Sequence, residues 1–516
     1  MAGVGHEASS RMARSARSLG ALGVLVATSS SLAASASDQP PNVETLVIDA
    51  KGAGAPFAHY WERMFGSGRA TLSLRDSYRQ DLRDIKRATG VGYIRFHGIL
   101  DDDVGVYDED ANGKPTYNFS YVDQIYDGLL EAGVRPFVEL SFMPRKLAQK
   151  LAVHEFWYRP IVSPPKSWDR YEELIFQFTR HLVERYGLDE VSQWYFEVWN
   201  EPNIDFWVGK PKEGTYYQLY DRAARAIKRV SESLRVGGPA TARAEWVDRF
   251  IEHTVKMRVP LDFVSTHVYA NDTPLDVFGT EETSSRRQMV CRAVKKVHDQ
   301  VRASSRPDLP IHWSEFNASW KNEPNVTDAL MMGPWLADTV RQCDGLVESL
   351  AYWTFSDVFE EQGVVKEPFY GGFGTLAVGG VKKPSYNAFV LLHDLGTERL
   401  ASASDSALAT RRADGTLVIA LWNLVLPDEL GRPKRVTLRL KGVAPEASVL
   451  VRRLDEDHGW VLRAYGAMGR PRYPTSAQLK ELKRAAELPP AERATLKGGE
   501  LDILLPENGL ALVVVK

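Results

Sequence analysis

The run WYFEVWNEPN, residues 194–203, is an apolar strand that gives way abruptly to an Asn-Glu-Pro turn. An amphipathic helical pattern precedes it at 168–186, and another follows at 216–234. A strand between helices implies a βα unit and a parallel sheet. Working outward, the same alternation recurs. Further strand candidates lie at 91–97 (VGYIRFH), 134–140 (VRPFVEL), 234–237, 263–267 (FVSTH), 311–314 (IHWS) and 350–354 (LAYWT), with one more near 57–65. Helical segments at 76–89, 122–132 and 286–303 fall between them. Eight such units over residues 57–395 fit an α/β protein of the (β/α)8 barrel type better than an open doubly wound sheet. No G-x-G-x-x-G follows the first strand, as a dinucleotide fold would require.

The texture changes after about residue 395. Short β-rich segments at 417–423, 435–440, 448–453 and 510–515 are separated by Gly, Asp and Pro turns. Residues 396–516 therefore read as an antiparallel β-sandwich, with a helical insertion at 478–486. The segment ETLVID (44–49), within an N-terminal stretch of residues 37–56, is expected to join the sandwich rather than the barrel.

Composition narrows the chemistry. The chain has 516 residues and a formal net charge of -3, which gives no basic face for nucleic acid and no reason to expect an anionic membrane as partner. Thirteen Trp and 20 Tyr are generous, and aromatic faces suit the flat C–H surfaces of sugar rings as well as a large core. Arg11, Arg14 and Arg17, the apolar run 19–27 and Ala34-Ser35-Ala36 have the form of an export signal over residues 1–36, giving a periplasmic or extracellular protein. The two cysteines, Cys291 and Cys343, are too few for a Cys-rich zinc site; their spacing leaves open whether they pair, with two buried thiols as the default. A partial calcium-loop pattern at 108–113 fails because Phe119 occupies the position of the bidentate acid. His154-Glu155 lacks the second His of a zinc-protease helix, so no metal or other cofactor is expected. Nothing in the sequence specifies an oligomeric state.

Catalytic groups of such barrels sit at the C-terminal ends of strands. The fourth candidate strand ends in Trp199-Asn200-Glu201-Pro202, and the seventh in Trp313-Ser314-Glu315-Phe316. Two carboxyl side chains facing one another over a barrel mouth are the equipment of glycosidic bond cleavage. One is protonated, to donate to the leaving oxygen; the other is ionised, to attack the anomeric carbon or activate water.

With these turns, RFHGIL (95–100), PFVELSFMP (136–144), STHVY (265–269), WSEFNAS (313–319), YWTFSDVFEE (352–361) and FYGGFGTL (369–376) occur in order. Together with WYFEVWNEPN they resemble glycoside hydrolase family 39 over the whole barrel and into the sandwich. The nearest likeness is to its β-xylosidases, with α-L-iduronidase as the other branch. The resemblance implies Glu201 as general acid/base and Glu315 as nucleophile of a retaining hydrolase acting on an oligosaccharide. It implies His97, Asn200, His267, Tyr269, Trp353 and Glu360 around the non-reducing sugar, Phe206 as an apolar wall, and Glu361 as a further participant. The iduronidase branch is expected to carry a lysine in the loop after the sixth strand. Here that loop reads His267-Val268-Tyr269, which favours a neutral pentose such as xylose, released from chain ends. The alternatives are another glycan (an α-L-arabinoside, a uronide or an exopolysaccharide) or a barrel that binds sugar without cutting it.

Overall fold

The computed structural model describes residues 40–516, so the export signal expected at 1–36 lies outside the described residues. Eight parallel strands close into a barrel: β1 (Met64–Gly66), β2 (Tyr93–Phe96), β3 (Arg135–Glu139), β4 (Tyr195–Glu197), β5 (Arg235–Thr241), β6 (Phe263–Tyr269), β7 (Ile311–Asn317) and β8 (Ser349–Tyr352). The principal helices between and after them are α1 (Asp76–Ala88), α2 (Ser120–Glu131), α3 (Trp168–Tyr186), α4 (Lys212–Val230), α5 (Val247–Met257), α6 (Met289–Ala303), α7 (Met332–Gln342) and α8 (Pro384–His393). Each strand hydrogen-bonds its sequence neighbours, and β8 pairs with β1 through Tyr352 and Phe65. The first strand is shorter than the sequence suggests. Phe57, Tyr60 and Trp61 are buried in the segment leading into β1 instead of extending it.

The period of two along each strand explains the interior. Met64, Phe137, Tyr195, Phe263 and Ala351 cluster as an apolar layer toward the N-terminal end, with Tyr93 packed against them. His312 joins this layer, its ring 4.4 Å from that of Tyr195, and burial pushes its imidazole down to about 3. Two residues further along the strands the inward positions become Arg95, Glu139, Glu197, Ser265 and Ser314, all buried. An apolar plug thus supports a polar layer directly beneath the barrel mouth.

The C-terminal region forms two sheets around one apolar core. A seven-stranded sheet runs in the order Gly54–Pro56, Glu398–Leu400, Ala407–Arg411, Leu417–Trp422, Leu510–Val515, Ser448–Leu454, Glu492–Thr495. Facing it, Asn42–Asp49 pairs in parallel with Lys434–Lys441, which pairs antiparallel with Glu500–Leu505. The other face of the larger sheet packs on the barrel: Val418, Trp422 and Leu512 belong to the same cluster as Trp335 of α7 and Phe389 of α8. The helix Ser476–Ala485 opens with a reciprocal capping box between Thr475 and Gln478. Its Leu482 packs with Phe369 and Val381 of the loop region after β8. Residues 108–113 enter a small hairpin, Tyr107–Glu109 pairing with Pro115–Tyr117, and in its turn Asp110 accepts from the backbone of Asn112 and Lys114.

The cysteines differ from their sequence reading. Cys291 on α6 and Cys343 at the end of α7 form a disulfide, with Cα atoms 5.2 Å apart. Their 52-residue separation says nothing of the side-by-side placement of the two helices, which is a tertiary fact. Closing a loop of that length restricts the unfolded chain by up to about 4 kcal/mol. A Cys291→Ala/Cys343→Ala variant is therefore expected to unfold at least about 2 °C lower than the oxidised protein, measured by calorimetry. An unchanged midpoint would show the bond to be energetically idle.

Candidate active site

Glu201 stands just past β4 in an unusual turn. Trp199 (φ 73°) and Glu201 (φ 43°) both occupy the left-handed region, which costs a non-glycine residue about 1 kcal/mol or more. The turn is held from outside. Glu201 N–H donates to Ala240 O (2.8 Å), and the Trp199 indole N–H donates to Phe206 O (2.8 Å). The Asn203 amide bridges Ala242, donating to its carbonyl and accepting from its N–H at 2.9 Å each. The loop after β5 thereby locks the direction in which Glu201 points.

Glu315, on β7, is gripped at both oxygens. Arg95 Nη1 donates to Oε1 (2.7 Å) and the Tyr269 hydroxyl donates to Oε2 (2.7 Å). Both contacts favour a carboxylate. One Glu201 oxygen and one Glu315 oxygen lie within 4.8 Å of each other, on the short side of the separations that divide retaining from inverting enzymes.

Arg95 was absent from the sequence-level site, yet it organises it. Its buried guanidinium also donates through Nε to Glu197 Oε2 (2.6 Å) and through Nη2 to Asn200 Oδ1 (2.9 Å), and it pairs with Glu139 Oε2 (2.7 Å). Burial disfavours its charge, but Glu139, Glu197 and Glu315 outweigh that and hold it firmly protonated. Asn200 spends its carbonyl on Arg95 and keeps its amide N–H groups for a ligand.

The proton inventory around Glu201 follows from a chain of hydrogen bonds. Burial, with Arg95 and His97 nearby, pushes the His267 imidazole well below its ordinary range, so the ring is neutral. Ser314 donates to Glu197 Oε1 (2.6 Å), so it accepts from His267 Nε2–H (3.1 Å). The remaining nitrogen, Nδ1, is then a bare acceptor 3.0 Å from Glu201 Oε1. Only a protonated Glu201 can complete that contact as a donor. Burial first, and the charge of Glu315 second, push the Glu201 carboxyl well above the usual range, in the same direction.

The remaining sequence-level residues divide. His97, Asn200, Phe206, Tyr269, Trp353 and Glu361 line a cavity of about 350 Å³ together with Glu201 and Glu315. His97 is oriented by Glu139, which takes its Nδ1 (2.8 Å) and leaves Nε2 facing Glu361 at 3.6 Å. The indole of Trp353 lies against β1, where a Cβ on Gly66 would stand 2.0 Å from the ring; only glycine admits it. Phe206 stacks on His154 with centroids 3.8 Å apart. Two expectations need correction. His267 has both nitrogens occupied by Glu201 and Ser314, so it orients the acid instead of binding a sugar hydroxyl. Glu360 faces away from the cavity lining, in a two-pronged pair with Arg75 (2.5 and 3.0 Å), and the adjacent Glu361 enters the cavity in its place. Burial and the charges of Glu315 and Glu201 push the Glu361 carboxyl well up. Sequence reading also missed Arg243, from the loop after β5, which lines the rim and pairs with Asp276 at 3.4 Å.

A barrel with two close carboxyl groups, one favoured neutral and one favoured charged, is the apparatus of a glycoside hydrolase. The comparisons agree. Residues 44–501 match the model for "Glycosyl hydrolases family 39", and the chain belongs to that family. It is 36% identical to a β-xylosidase of Geobacillus stearothermophilus over 474 residues, covering 89% of this chain and 93% of that one. It is 25% identical to human α-L-iduronidase over 470 residues, 80% of this chain and 68% of that one. Among solved structures, a monomeric β-xylosidase from Caulobacter crescentus CB15 is 33% identical with a TM-score of 0.84, covering 92% of this chain and 99% of that one.

Two outcomes follow. Removing the Glu315 charge in Glu315→Gln is expected to lower the titration midpoint of the Glu201 carboxyl, followed by carbon NMR; an equal or higher midpoint would break the proposed coupling. Arg95→Met would leave three buried carboxylates unpaired and is expected to cost about 3–5 kcal/mol in denaturant unfolding near neutral pH. That deficit should shrink as pH falls and the orphaned carboxylates take up protons. A deficit independent of pH would point to lost packing.

Proposed function

We propose that the protein is a retaining β-xylosidase that releases xylose from the non-reducing ends of xylo-oligosaccharides. The observation that carries the mechanism is the pairing of Glu201, protonated and hydrogen-bonded to a neutral His267, with Glu315, held by Arg95 and Tyr269 within 4.8 Å. In the first step Glu315 attacks the anomeric carbon as the C–O bond breaks, and Glu201 delivers its proton to the departing oxygen. Bond cleavage gives a glycosyl ester on Glu315 and frees the aglycone as an alcohol. With its proton gone, Glu201 accepts one from water, whose oxygen attacks the anomeric carbon and restores the Glu315 carboxylate. Two inversions leave the configuration retained. As the ester forms, the charge on Glu315 disappears, which lowers the pull that kept Glu201 protonated and suits its switch from acid to base.

The choice of sugar rests on the β-xylosidase relatives and on Tyr269 at the end of β6, where the iduronidase branch is expected to carry lysine. Arg243 at the rim favours a second reading, an acidic glycan, though Asp276 already engages it. The Cys291–Cys343 disulfide supports an oxidising compartment, in keeping with the export-signal form of residues 1–36.

A panel of aryl glycosides is the direct test. The β-xyloside is expected to be hydrolysed best, with the β-anomer of xylose first seen by NMR. Stronger turnover of a uronide or arabinoside would reassign the substrate, and an inverted first product would refute the two-step route. Glu315→Ala should lose on the order of 10⁴-fold or more in kcat. Azide should then give the α-glycosyl azide with Glu315→Ala and the β-glycosyl azide with Glu201→Ala.

A further inference from the structure

Far from the cavity, at the N-terminal end of the barrel, three side chains with metal-ligating atoms converge. His59 and Glu62 belong to the segment leading into β1, and His393 is the last residue of α8. His59 Nδ1 lies 2.8 Å from Glu62 Oε1; His393 Nδ1 lies 3.0 and 2.9 Å from the two Glu62 oxygens. Each residue offers one ligand atom, all within 4.8 Å of one another. Glu62 is buried, while the His393 side chain is 45% exposed and gives the site an entry path. The carboxylate is seated by a close backbone approach. Gly90 N–H donates to it, and a Cβ at Gly90 would stand only 2.9 Å from Oε1.

We propose that His59, Glu62 and His393 form a divalent transition-metal site of the zinc class, clipping the start of the barrel to its last helix. Two imidazoles and one carboxylate suit zinc, with water completing a tetrahedron on the open His393 side. Metal–ligand bonds near 2.0–2.1 Å put tetrahedral ligand atoms about 3.3 Å apart, so the present histidine–carboxylate spacings need to open by only a few tenths of an ångström. The site joins segments 331 residues apart in sequence. Its position at the end of the barrel opposite the chemistry assigns it to stability and not to turnover.

The test uses the whole enzyme, freed of metal with a chelator and then of the chelator. Zinc chloride is titrated by calorimetry and followed by thermal unfolding. One strong zinc equivalent per chain and a midpoint rise of about 2 °C or more are expected for the wild type. His393→Asn keeps an amide donor toward Glu62 but is a poor ligand; it should lose that rise while its turnover stays unchanged. Glu201, His267 and Glu315 also bring ligand atoms within 4.8 Å, so Glu315→Gln is run in parallel and should keep the rise. No zinc-dependent rise in the wild type would leave a hydrogen-bonded clip only and overturn the proposal. So would a rise that His393→Asn retains or that Glu315→Gln abolishes.

Discussion

One buried guanidinium governs this molecule's chemistry. Arg95 sits in the polar layer of the barrel with no exposed surface, facing Glu139, Glu197 and Glu315 from three other strands. Four charged groups leave water together, and such burial is tolerable only when every polar atom finds a well-aligned partner. The closed barrel supplies that alignment: β2, β3 and β4 point Arg95, Glu139 and Glu197 inward at one depth, and Glu315 reaches the guanidinium from β7, one residue beyond the inward Ser314. One positive charge cannot neutralise three carboxylates and two more across the mouth. Burial first, and then the charge of Glu315, pushes Glu201 and Glu361 upward, and burial raises Glu197 too despite its direct contact with Arg95. Glu201 and Glu315 thus differ in their partners, a neutral imidazole for the first and Arg95 with Tyr269 for the second.

Ser314 and His267 refine that division. A carboxyl raised only by burial and repulsion could place its proton on either oxygen. The neutral imidazole, its Nε2–H committed to Ser314, offers an acceptor to one Glu201 oxygen alone. Ser314 in turn answers to Glu197, which answers to Arg95. The tautomer of a histidine with both ring nitrogens engaged by the protein is thus dictated through three contacts by the same arginine. Backbone strain at Trp199 and Glu201 is tolerated because Asn203 and Ala240 determine that turn from the neighbouring loop.

The sequence revealed this site unevenly, for physical reasons. The placing of Glu201 and Glu315 at one barrel mouth was legible because each lies at the C-terminal end of an apolar strand, and the βα rhythm made the barrel itself legible. Arg95, Glu139 and Glu197 were hidden because a charged residue inside a strand normally points to solvent. Only the closure of the barrel, a long-range event, turns those positions inward onto one another. Glu360 and Glu361 could not be told apart, since which of two adjacent side chains enters a cavity depends on one backbone torsion; Glu360 has φ 66°, and Arg75 captures it outside. His267 was placed correctly near the reacting groups but given the wrong partner, because a ring nitrogen's commitments are invisible without Ser314 in space. The pairing of Cys291 with Cys343 stayed open for the same reason that the charge cluster was hidden: helix adjacency is not written in spacing.

The electrostatics that sort the two glutamates also bear on the sugar. Besides Glu201 and Glu315, the cavity is lined by Glu155, Asp205, Asp272 and Glu361. Among the described lining residues the only Lys or Arg is Arg243, and its charge is shared with Asp276. A uronate entering here would bring a further negative charge into a site already shedding protons to limit its own. Inside a low-dielectric pocket that repulsion is far stronger than in water, and it would drive Glu201 further from titration near neutral pH. A neutral pentose meets none of this. Its hydroxyls would face the Asn200 amide and the His97 ring, oriented by Arg95 and Glu139, and its C–H face would meet the indole that Gly66 admits. The crowding of carboxyl groups that raises Glu201 therefore also weighs against a further anion in the cavity.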